Sequence, residues 1–393
     1  MLSFSWNNST LSIPIPRTAN LTLLEPSYPK PLDIGEQNRL IQEDMEKFKL
    51  ELKKAKQIVL ILEDPSRVSK TKDLVNAFCK NIQELRGNLT GFEIIIASGA
   101  HFRIQPNDLL KKIGLNDWPF SIHNCNDTAN LMSLKSSRLG VPFLFNKKVV
   151  QADLRFTVST MNIHPLVGLS GGGKILLPGV AGLQTIEAFH SLPAGNPGAQ
   201  VSPMRELINE VIKVLPIHHS WHLLSDSNGD IVKITNGKIN ESFHQSAKEL
   251  CKLVTVDKPG HLADLLFLGC CPFNQNLIGT FKSLHQIPKL LKPDGKAVLL
   301  NEAPQGIGFH HWRTEPQVIA EQKKHYQQQF KDFQIAIFSE QNSIEEFRKI
   351  FPESFKLLTE ESKLLNFIEV PELRTENTVQ ITAIPFAPIT LIN

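Results

Sequence analysis

Two short polar segments stand where a parallel sheet would expose them. Asp64-Pro65-Ser66-Arg67 follows one apolar run, and Ser98-Gly99-Ala100-His101 follows the next β-branched run. Because ligands of open α/β sheets bind beyond the carboxyl ends of the strands, we expect both segments at one sheet edge. Taken singly, Asp64 is typical of a helix cap or turn, and His101 of a loop. Together, Arg67 and His101 indicate a site that binds an anion and exchanges protons.

A glycine-rich segment from His164 to Lys174 ends in Ser-Gly-Gly-Gly-Lys. Consecutive glycines let a backbone approach an anion closely. The stretch 168–174 satisfies the GxxxxGK pattern of a phosphate loop, but Ile175 stands where a magnesium-binding hydroxyl residue is needed. A nucleotide hydrolase is therefore a weak interpretation. A mobile glycine loop with a solvated lysine is another interpretation of these residues.

Lys174 and two histidines form a second set of candidates. An apolar neighbourhood would depress the pKa of Lys174 and make its amine a nucleophile. The imidazoles of His164 and His190 suit nickel, copper or zinc. His190 also falls on the apolar side of its predicted helix, where a lone histidine is usually a core residue. No HExxH motif or carboxylate cluster completes a metal site, so a metal at His190 would need ligands from elsewhere.

The elements that carry these residues follow an α/β pattern. A buried strand at 58–62, a helix at 70–86 and a strand at 92–97 form one predicted βαβ unit. The second half of the chain begins a similar unit. The other predicted elements are strands at 141–145, 154–160, 265–270 and 297–300, helices at 182–192, 204–215, 241–251, 276–291, 316–330 and 343–351, and hairpin turns at 228–229 and 236–237.

Two domains are expected from the 393 residues. The turn-forming cluster at 258–260 separates an N-terminal domain, residues 1–258, from a C-terminal domain, residues 259–379. Each is predicted to contain an open, mostly parallel sheet flanked by helices. The segment 380–393 is interrupted by prolines and is expected to form an edge strand that could return to the first domain.

Composition excludes several classes of protein. Lys and Arg number 42 against 39 Asp and Glu, a balance that argues against a nucleic-acid binder. The five cysteines are odd in number and form no CxxC pair, which argues against a disulfide framework. No apolar run is long enough for a membrane span, and no signal sequence is recognisable. These features predict a soluble, cytoplasmic protein.

In their order and spacing, these motifs resemble the nickel-dependent lactate racemase family. The resemblance covers nearly the whole chain and rests on the following motifs: Asp-Pro-Ser-Arg at 64–67, Ser-Gly-Ala-His at 98–101, His164 ten residues before Lys174, Leu-Pro-Gly at 177–179, His190, and the segments 270–277 and 302–308. It implies an isomerase that racemises or epimerises a 2-hydroxy acid, either lactate or a larger analogue. It also implies an active site in a cleft between the domains.

The resemblance further implies a cofactor, the nickel pincer nucleotide. This pyridinium-3-thioamide-5-thiocarboxylic acid mononucleotide holds Ni(II) through its sulfur atoms and a ring carbon. Lys174 would be joined to its thioacid group, and His190 would be the protein's ligand to nickel. The N-terminal domain would bind the cofactor, through Lys174, Asp64, Gly171, Gly172 and Gly173. Enzymes of cofactor synthesis would be the maturation partners.

By the same resemblance, His101 and His164 would be the acid/base pair on opposite faces of the substrate's carbinol carbon. One histidine takes the hydroxyl proton while hydride passes to the cofactor, and the other serves the opposite face. Arg67 and Lys282 would hold the carboxylate and the developing oxyanion, and Asp64 would orient its neighbours.

The chain departs from the family at several positions. Gly279 replaces a glutamine that contacts the substrate, so we expect added space at this position. With this space, the site should accept a bulkier 2-hydroxy acid at least as readily as lactate. Asn124 replaces an aspartate that follows the histidine at 123. Pro165-Leu166 replaces aromatic residues that follow the catalytic histidine. The alternative function is a non-catalytic protein that binds the pincer nucleotide.

Overall fold

The computed structural model describes residues 1–6, 9–16, 18–101, 104, 106–114, 118–134, 140, 142–308, 316–369 and 378–393. The predicted strand at 141–145 therefore begins outside the described residues. The chain divides into two compact units, one formed by Tyr28–Lys252 and the other by Met1–Ser27 together with Leu253–Asn393. None of the helices in the described part of the chain has the length and apolarity needed to cross a bilayer.

The chain begins with a hairpin and a single strand. Strands β1 (Leu2–Trp6) and β2 (Ser9–Ile13) pair antiparallel, and β3 (Asn20–Leu23) follows. The elements of the unit Tyr28–Lys252 come next: α1 (Ile34–Glu46), α2 (Lys49–Lys54), β4 (Ile58–Glu63), α3 (Lys72–Arg86), β5 (Phe92–Ala97), α4 (Pro106–Ile113), β6 (Phe120–Ile122), β7 (Leu131–Ser133), β8 (Leu144–Asn146), α5 (Lys147–Gln151), β9 (Leu154–Thr160), β10 (Ile163–His164), β11 (Gly168–Leu169), α6 (Leu183–His190), α7 (Pro203–Val214), β12 (His219–Ser225), β13 (Ile231–Gly237) and α8 (Ile239–Val254).

The main sheet of this unit has the strand order β13-β12-β9-β4-β5-β6. All neighbours pair parallel except the β12–β13 hairpin. Strand β4 is buried along its whole length because helices cover both faces. Its residues Leu60 and Leu62 pack in the core with α1 and α3, whereas Val59 and Ile61 pack in the core with α6 and α7. The carboxyl ends of β4, β5 and β9 therefore lie side by side at the sheet centre.

The remaining elements complete the other unit: β14 (Thr255–Val256), β15 (Ala263–Gly269), α9 (Ile287–Leu290), β16 (Leu291–Leu300), α10 (Pro316–Gln329), β17 (Gln334–Phe338), α11 (Ile344–Ile350), β18 (Lys356–Leu358), α12 (Glu361–Ile368), β19 (Gln380–Ile384) and β20 (Leu391–Ile392). Its main sheet has the order β18-β17-β16-β15-β19-β3 and is parallel throughout. The hairpin β1–β2 and α12 pack on one face, and α11 packs on the other. The prediction of parallel sheets flanked by helices is thus confirmed.

The predicted role of the last segment is wrong in two ways. Strand β19 pairs with β15 on one side and β3 on the other, so it is an interior strand. Prolines 385 and 388 follow the strand rather than interrupt it, and its ladder is intact. The segment also stays with 253–393 instead of returning to the unit Tyr28–Lys252. Residues 1–27, predicted to lie in the N-terminal domain, belong to this same unit through β3.

Two local predictions also fail. The expected helix at 276–291 is replaced by 3-10 turns at Leu277–Lys282 and Leu284–Gln286 followed by the short α9. Gly279 and Pro288 both disfavour a continuous helix here. The expected hairpin turn at 236–237 instead ends β13 and leads directly into α8.

Candidate functional site

The segment after β4 folds into a tight turn around a buried carboxylate. The backbone N–H of Ser66 donates to Oδ1 of Asp64 at 2.8 Å, and the N–H of Arg67 donates to the Asp64 carbonyl at 3.1 Å. The Asp64 residue is only 5% exposed. These bonds hold Asp64 and Arg67 on the same turn, as the sequence predicts.

The segment after the neighbouring strand β5 brings a histidine to Asp64. Gly99 adopts a φ of 54° and its N–H donates to the carbonyl of Gly179 at 2.9 Å. His101 closes this turn, and its Nδ1 lies 3.4 Å from Oδ2 of Asp64. Burial would raise the pKa of Asp64, but the charges and hydrogen bonds of His101, Arg67 and Ser66 outweigh it and hold that pKa well below its usual range. Asp64 is therefore ionised at neutral pH.

Lys174 has the most perturbed amine near this turn. It lies in the 3-10 turn Gly172–Ile175, and its carbonyl accepts the N–H of Gly179 at 3.3 Å. Burial, and then the positive charges of Arg67 and Arg205, lower the pKa of Lys174 to about 7, while Asp64 opposes this shift. Within the described part of the chain its ammonium has no ion-pair partner. The lowered pKa makes the unprotonated amine, which is the nucleophilic form of lysine, accessible near neutral pH.

The three glycines before Lys174 are packed by the protein itself. A Cβ atom at Gly171 would overlap the Met161 sulfur, one at Gly172 would lie 2.7 Å from the Phe243 ring, and one at Gly173 would lie 2.7 Å from Ile208. Gly171 and Gly172 also have positive φ angles of 80° and 59°. Close packing and backbone conformation therefore account for these glycines, whose role in cofactor binding stays a prediction. Because the segment continues as a 3-10 turn and not an α-helix, the phosphate-loop interpretation gains no support.

Arg205 is a residue of this region that the sequence analysis missed. It lies near the start of α7, is 3% exposed and donates to the carbonyls of Leu169 and Gly171. Its guanidinium lies 4.3 Å from the centre of the Phe243 ring, and burial lowers its pKa to about 10. Arg205 falls on the apolar stripe of α7, three residues before Ile208, and this placement is the signal that could have identified it.

His164 and His190 have opposite arrangements at Nδ1. The Nδ1 atom of His164 accepts the backbone N–H groups of Leu166 and Val167 at 3.1 and 3.3 Å. In contrast, Nδ1 of His190 lies 2.8 Å from the carbonyl of Ile186, to which it must donate. Nε2 of His190 then carries the lone pair, which is the state required of a metal ligand. In the described part of the chain, no three His, Cys, Asp or Glu side chains gather to hold a metal.

A buried ion pair lies at the end of β4, directly before the turn that contains Asp64. It was not predicted from the sequence. Nζ of Lys112 lies 2.9 Å from Oε1 of Glu63, and both side chains are less than 10% exposed. The same carboxylate accepts the N–H and the hydroxyl of Thr160, each at 2.6 Å. Glu63 therefore joins the ends of β4 and β9 to helix α4.

Lys282 belongs to the other unit, where its ammonium lies 3.0 Å from the centre of the Phe273 ring. The expectation of added space at Gly279 is wrong. A Cβ atom at Gly279 would overlap the carbonyl oxygen of Phe273, so the Phe273 backbone occupies the room that a side chain would need. Glycine is required here by close backbone approach.

Taken together, the structure brings Asp64, Arg67, His101 and Lys174 into one group, with Arg205 beside it. His164 and His190 lie on other elements of the same unit. A buried carboxylate, cations and a low-pKa amine thus lie beyond the carboxyl ends of a parallel sheet, which is where ligands of open α/β proteins bind and where perturbed pKa values mark a candidate active site. The family model for the lactate racemase N-terminal domain matches residues 6–202, half of the chain. The chain belongs to this family.

Individual relatives agree with this assignment. Lactate racemase from Thermoanaerobacterium thermosaccharolyticum is 25% identical over 275 residues, which are 66% of this chain and 64% of the relative. Lactate racemase from Lactiplantibacillus plantarum is 31% identical over 101 residues, which are 25% of this chain and 24% of the relative. The matched parts thus span less than two thirds of either curated relative.

Solved structures share the fold. The lactate racemase apoprotein from T. thermosaccharolyticum superposes with a TM-score of 0.80 at 18% identity and covers 100% of this chain and 99% of its own. A protein from Thermotoga maritima gives a TM-score of 0.67 at 16% identity and covers 93% of this chain and 99% of its own.

Proposed function

We propose that this chain racemises or epimerises a 2-hydroxy acid, using a nickel pincer nucleotide held covalently by Lys174. The observation that carries this proposal is the Lys174 amine, whose pKa is lowered to about 7 beside Arg67 and the ionised Asp64. Membership of the lactate racemase family supplies the reaction class.

The protein side chains fit this cofactor. An unprotonated Lys174 amine has the lone pair that a covalent bond to the cofactor would need, which a fully charged lysine lacks. His190 presents the correct tautomer for coordination through Nε2, and its Nδ1 is fixed by the Ile186 carbonyl. A pincer nucleotide would supply the other ligands of the nickel ion. When bound, the cofactor would accept a hydride from the substrate's C2 and return it.

The remaining residues bind the acid and move its hydroxyl proton. Arg67 would hold the substrate carboxylate, and a substrate contact by Lys282 stays a prediction of the family resemblance. Asp64 would keep Arg67 and His101 in position through the turn after β4. His101 and His164 would exchange the hydroxyl proton on the two faces of C2, as racemisation requires.

The test is to produce the protein together with enzymes that synthesise the cofactor. Bound nickel and added mass on the Lys174 peptide should be found, and each pure enantiomer of a 2-hydroxy acid panel should convert to its mirror image. Lys174→Ala should lose the added mass and the activity, whereas Lys238→Ala, at an exposed lysine, should keep both. Loaded protein that interconverts no member of the panel would contradict the proposal.

A second function, binding of the pincer nucleotide without turnover, is favoured by one observation. The two N–H groups at Nδ1 of His164 oppose protonation of that ring. His101→Asn separates the two functions. An enzyme would lose turnover and retain nickel, whereas a binding protein would have no turnover in either form.

A further inference from the structure

The two candidate acid/base histidines contact opposite kinds of group through the same ring atom. Nδ1 of His101 faces the carboxylate of Asp64, and Nδ1 of His164 faces two backbone N–H groups. A carboxylate can only accept a hydrogen bond, and a backbone N–H can only donate one. The position of the proton on each neutral ring follows from these contacts.

For His101, the proton lies on Nδ1. Asp64 is 5% exposed and ionised, because His101, Arg67 and Ser66 keep its pKa low. An ionised, buried carboxylate gains most from a charged or N–H donor. The lone pair of the neutral His101 ring is then on Nε2, where it can take a proton.

For His164, the proton lies on Nε2. Pro165 fixes the backbone directly after His164 and has no N–H of its own. The next two amides, those of Leu166 and Val167, converge on Nδ1 at 3.1 and 3.3 Å. A proton on Nδ1 would face both N–H groups, so either protonating the ring or moving its proton to Nδ1 requires this turn to open.

We propose that the resting protein holds His101 and His164 in opposite tautomers, with Asp64 and the Pro165 turn as the positioning elements. His101 is then the ring that first takes a substrate's hydroxyl proton on Nε2. His164 is a hydrogen-bond donor through Nε2–H, and it exchanges protons only after its Nδ1 leaves the amides of Leu166 and Val167. The assignment of these roles rests on the proposed function, whereas the tautomers themselves do not.

The tautomers can be read directly by NMR. In protein labelled with ¹⁵N-histidine and free of cofactor, long-range ¹H–¹⁵N spectra distinguish protonated from unprotonated ring nitrogens. His101→Asn and His164→Asn assign the two rings by loss of signal. We expect protonated Nδ1 for His101 and protonated Nε2 for His164 above the pH at which the rings are charged. Equal tautomers, or either ring in the reverse form, would overturn the proposal.

Two variants test the positioning elements. Asp64→Ala should shift only His101 toward a mixture of tautomers, and Pro165→Gly should shift only His164. His190 is the internal control, because its Nδ1–H is held by the Ile186 carbonyl and should not respond. An unmoved His101 in a folded Asp64→Ala protein would refute the role of Asp64, and the wild-type spectrum decides the main inference if a variant does not fold.

The NMR result on the tautomers can be distinguished from the result of the racemisation assay that tests the proposed function. Opposite tautomers without racemisation by loaded protein would retain this inference and reject the racemase. Racemisation by a protein whose two rings share one tautomer would do the reverse.

Discussion

The Nδ1 atom of His101 lies 3.4 Å from Oδ2 of Asp64, and this contact joins the turns that follow two adjacent strands. Since Asp64 is ionised, it can accept a hydrogen bond from Nδ1–H of His101 and hold the orientation of this ring. Asp64→Asn should therefore lower kcat of cofactor-loaded enzyme about 10² to 10⁴-fold, the usual contribution of acid/base catalysis. Initial rates at matched nickel content measure this, and Asp230→Asn, at an exposed ion pair, should be unaffected.

Lys174 should reduce stability in exchange for function. Its pKa of about 7 in the folded protein lies below the ordinary 10.5, so the unfolded chain binds more protons between these values. The stability penalty grows as pH falls from about 10 to about 7 and is absent above this range. Lys174→Met should raise the free energy of unfolding at pH 7 by about 1–3 kcal/mol. Urea unfolding at pH 7 and pH 10 measures the difference, and a variant less stable than wild type at pH 7 would contradict it.

Asp44 should make the protein sensitive to acid. Burial would raise its pKa, but His219 and Lys47 outweigh that effect and lower the pKa to about 2. Because the folded pKa lies below the unfolded value, the stabilisation is present above pH 4 and is lost between about pH 4 and pH 2. Asp44→Asn should cost about 1–2 kcal/mol at pH 7 and much less near pH 2.

Urea titrations across this pH range measure the effect of Asp44. Glu345→Gln is the control, because its partner Lys349 lies at an exposed i,i+4 position. That substitution should change the free energy of unfolding by less than about 0.5 kcal/mol. A pH-independent difference between wild type and Asp44→Asn would exclude this carboxylate as the acid-labile group.

The buried pair of Glu63 and Lys112 should be costly to break. Glu63→Gln leaves the ammonium of Lys112 buried without its counter-charge and should reduce stability by about 3–5 kcal/mol. Replacing both residues, as in Glu63→Gln with Lys112→Met, should recover part of this loss. Denaturant titration measures all three proteins, with Glu93→Gln, whose partner Lys148 is exposed, as the control. A loss at Glu63 no larger than that at Glu93 would be the contrary result.

Gly279 should not tolerate the glutamine that the family resemblance leads us to expect at this position. Because a Cβ atom there would overlap the Phe273 carbonyl, even Gly279→Ala should lower stability by about 2–4 kcal/mol. Gly279→Gln should therefore impair substrate binding instead of improving it. Gly260→Ala is the matched control, since nothing lies within 4 Å of its added atom. Thermal unfolding and KM for lactate are the measurements, and a stable Gly279→Gln protein with lower KM would refute this account.

The sequence allowed correct prediction of elements whose apolar pattern and turn residues agree. Strands β5 and β9 were predicted to the residue, and β4 to within one, because continuous apolar runs bounded by polar turns leave few alternatives. The adjacency of Asp64 and His101 followed from the same reasoning. A helix at 276–291 failed because an apolar stretch with glycine and proline does not distinguish 3-10 turns from a helix.

The long-range hydrogen-bond and ion-pair partners of the buried charged residues could not be predicted from the sequence. Arg205 reaches Gly171 across 34 residues, and Lys112 reaches Glu63 across 49. Neither pairing has a local pattern, since only the packed sheet brings the residues together. The tautomers of His101, His164 and His190 likewise depend on hydrogen-bond partners that residue spacing does not reveal.

Strand β3 pairs with β19, which places Asn20 beside Gln380. The ribosome must therefore add some 360 residues before this edge of the sheet can form. Tyr28–Lys252 emerges as one uninterrupted stretch and is free to fold during translation. The other unit cannot complete its sheet until the last strands have been synthesised. Until then, the unpaired strand edges in residues 1–27 are open to wrong pairing.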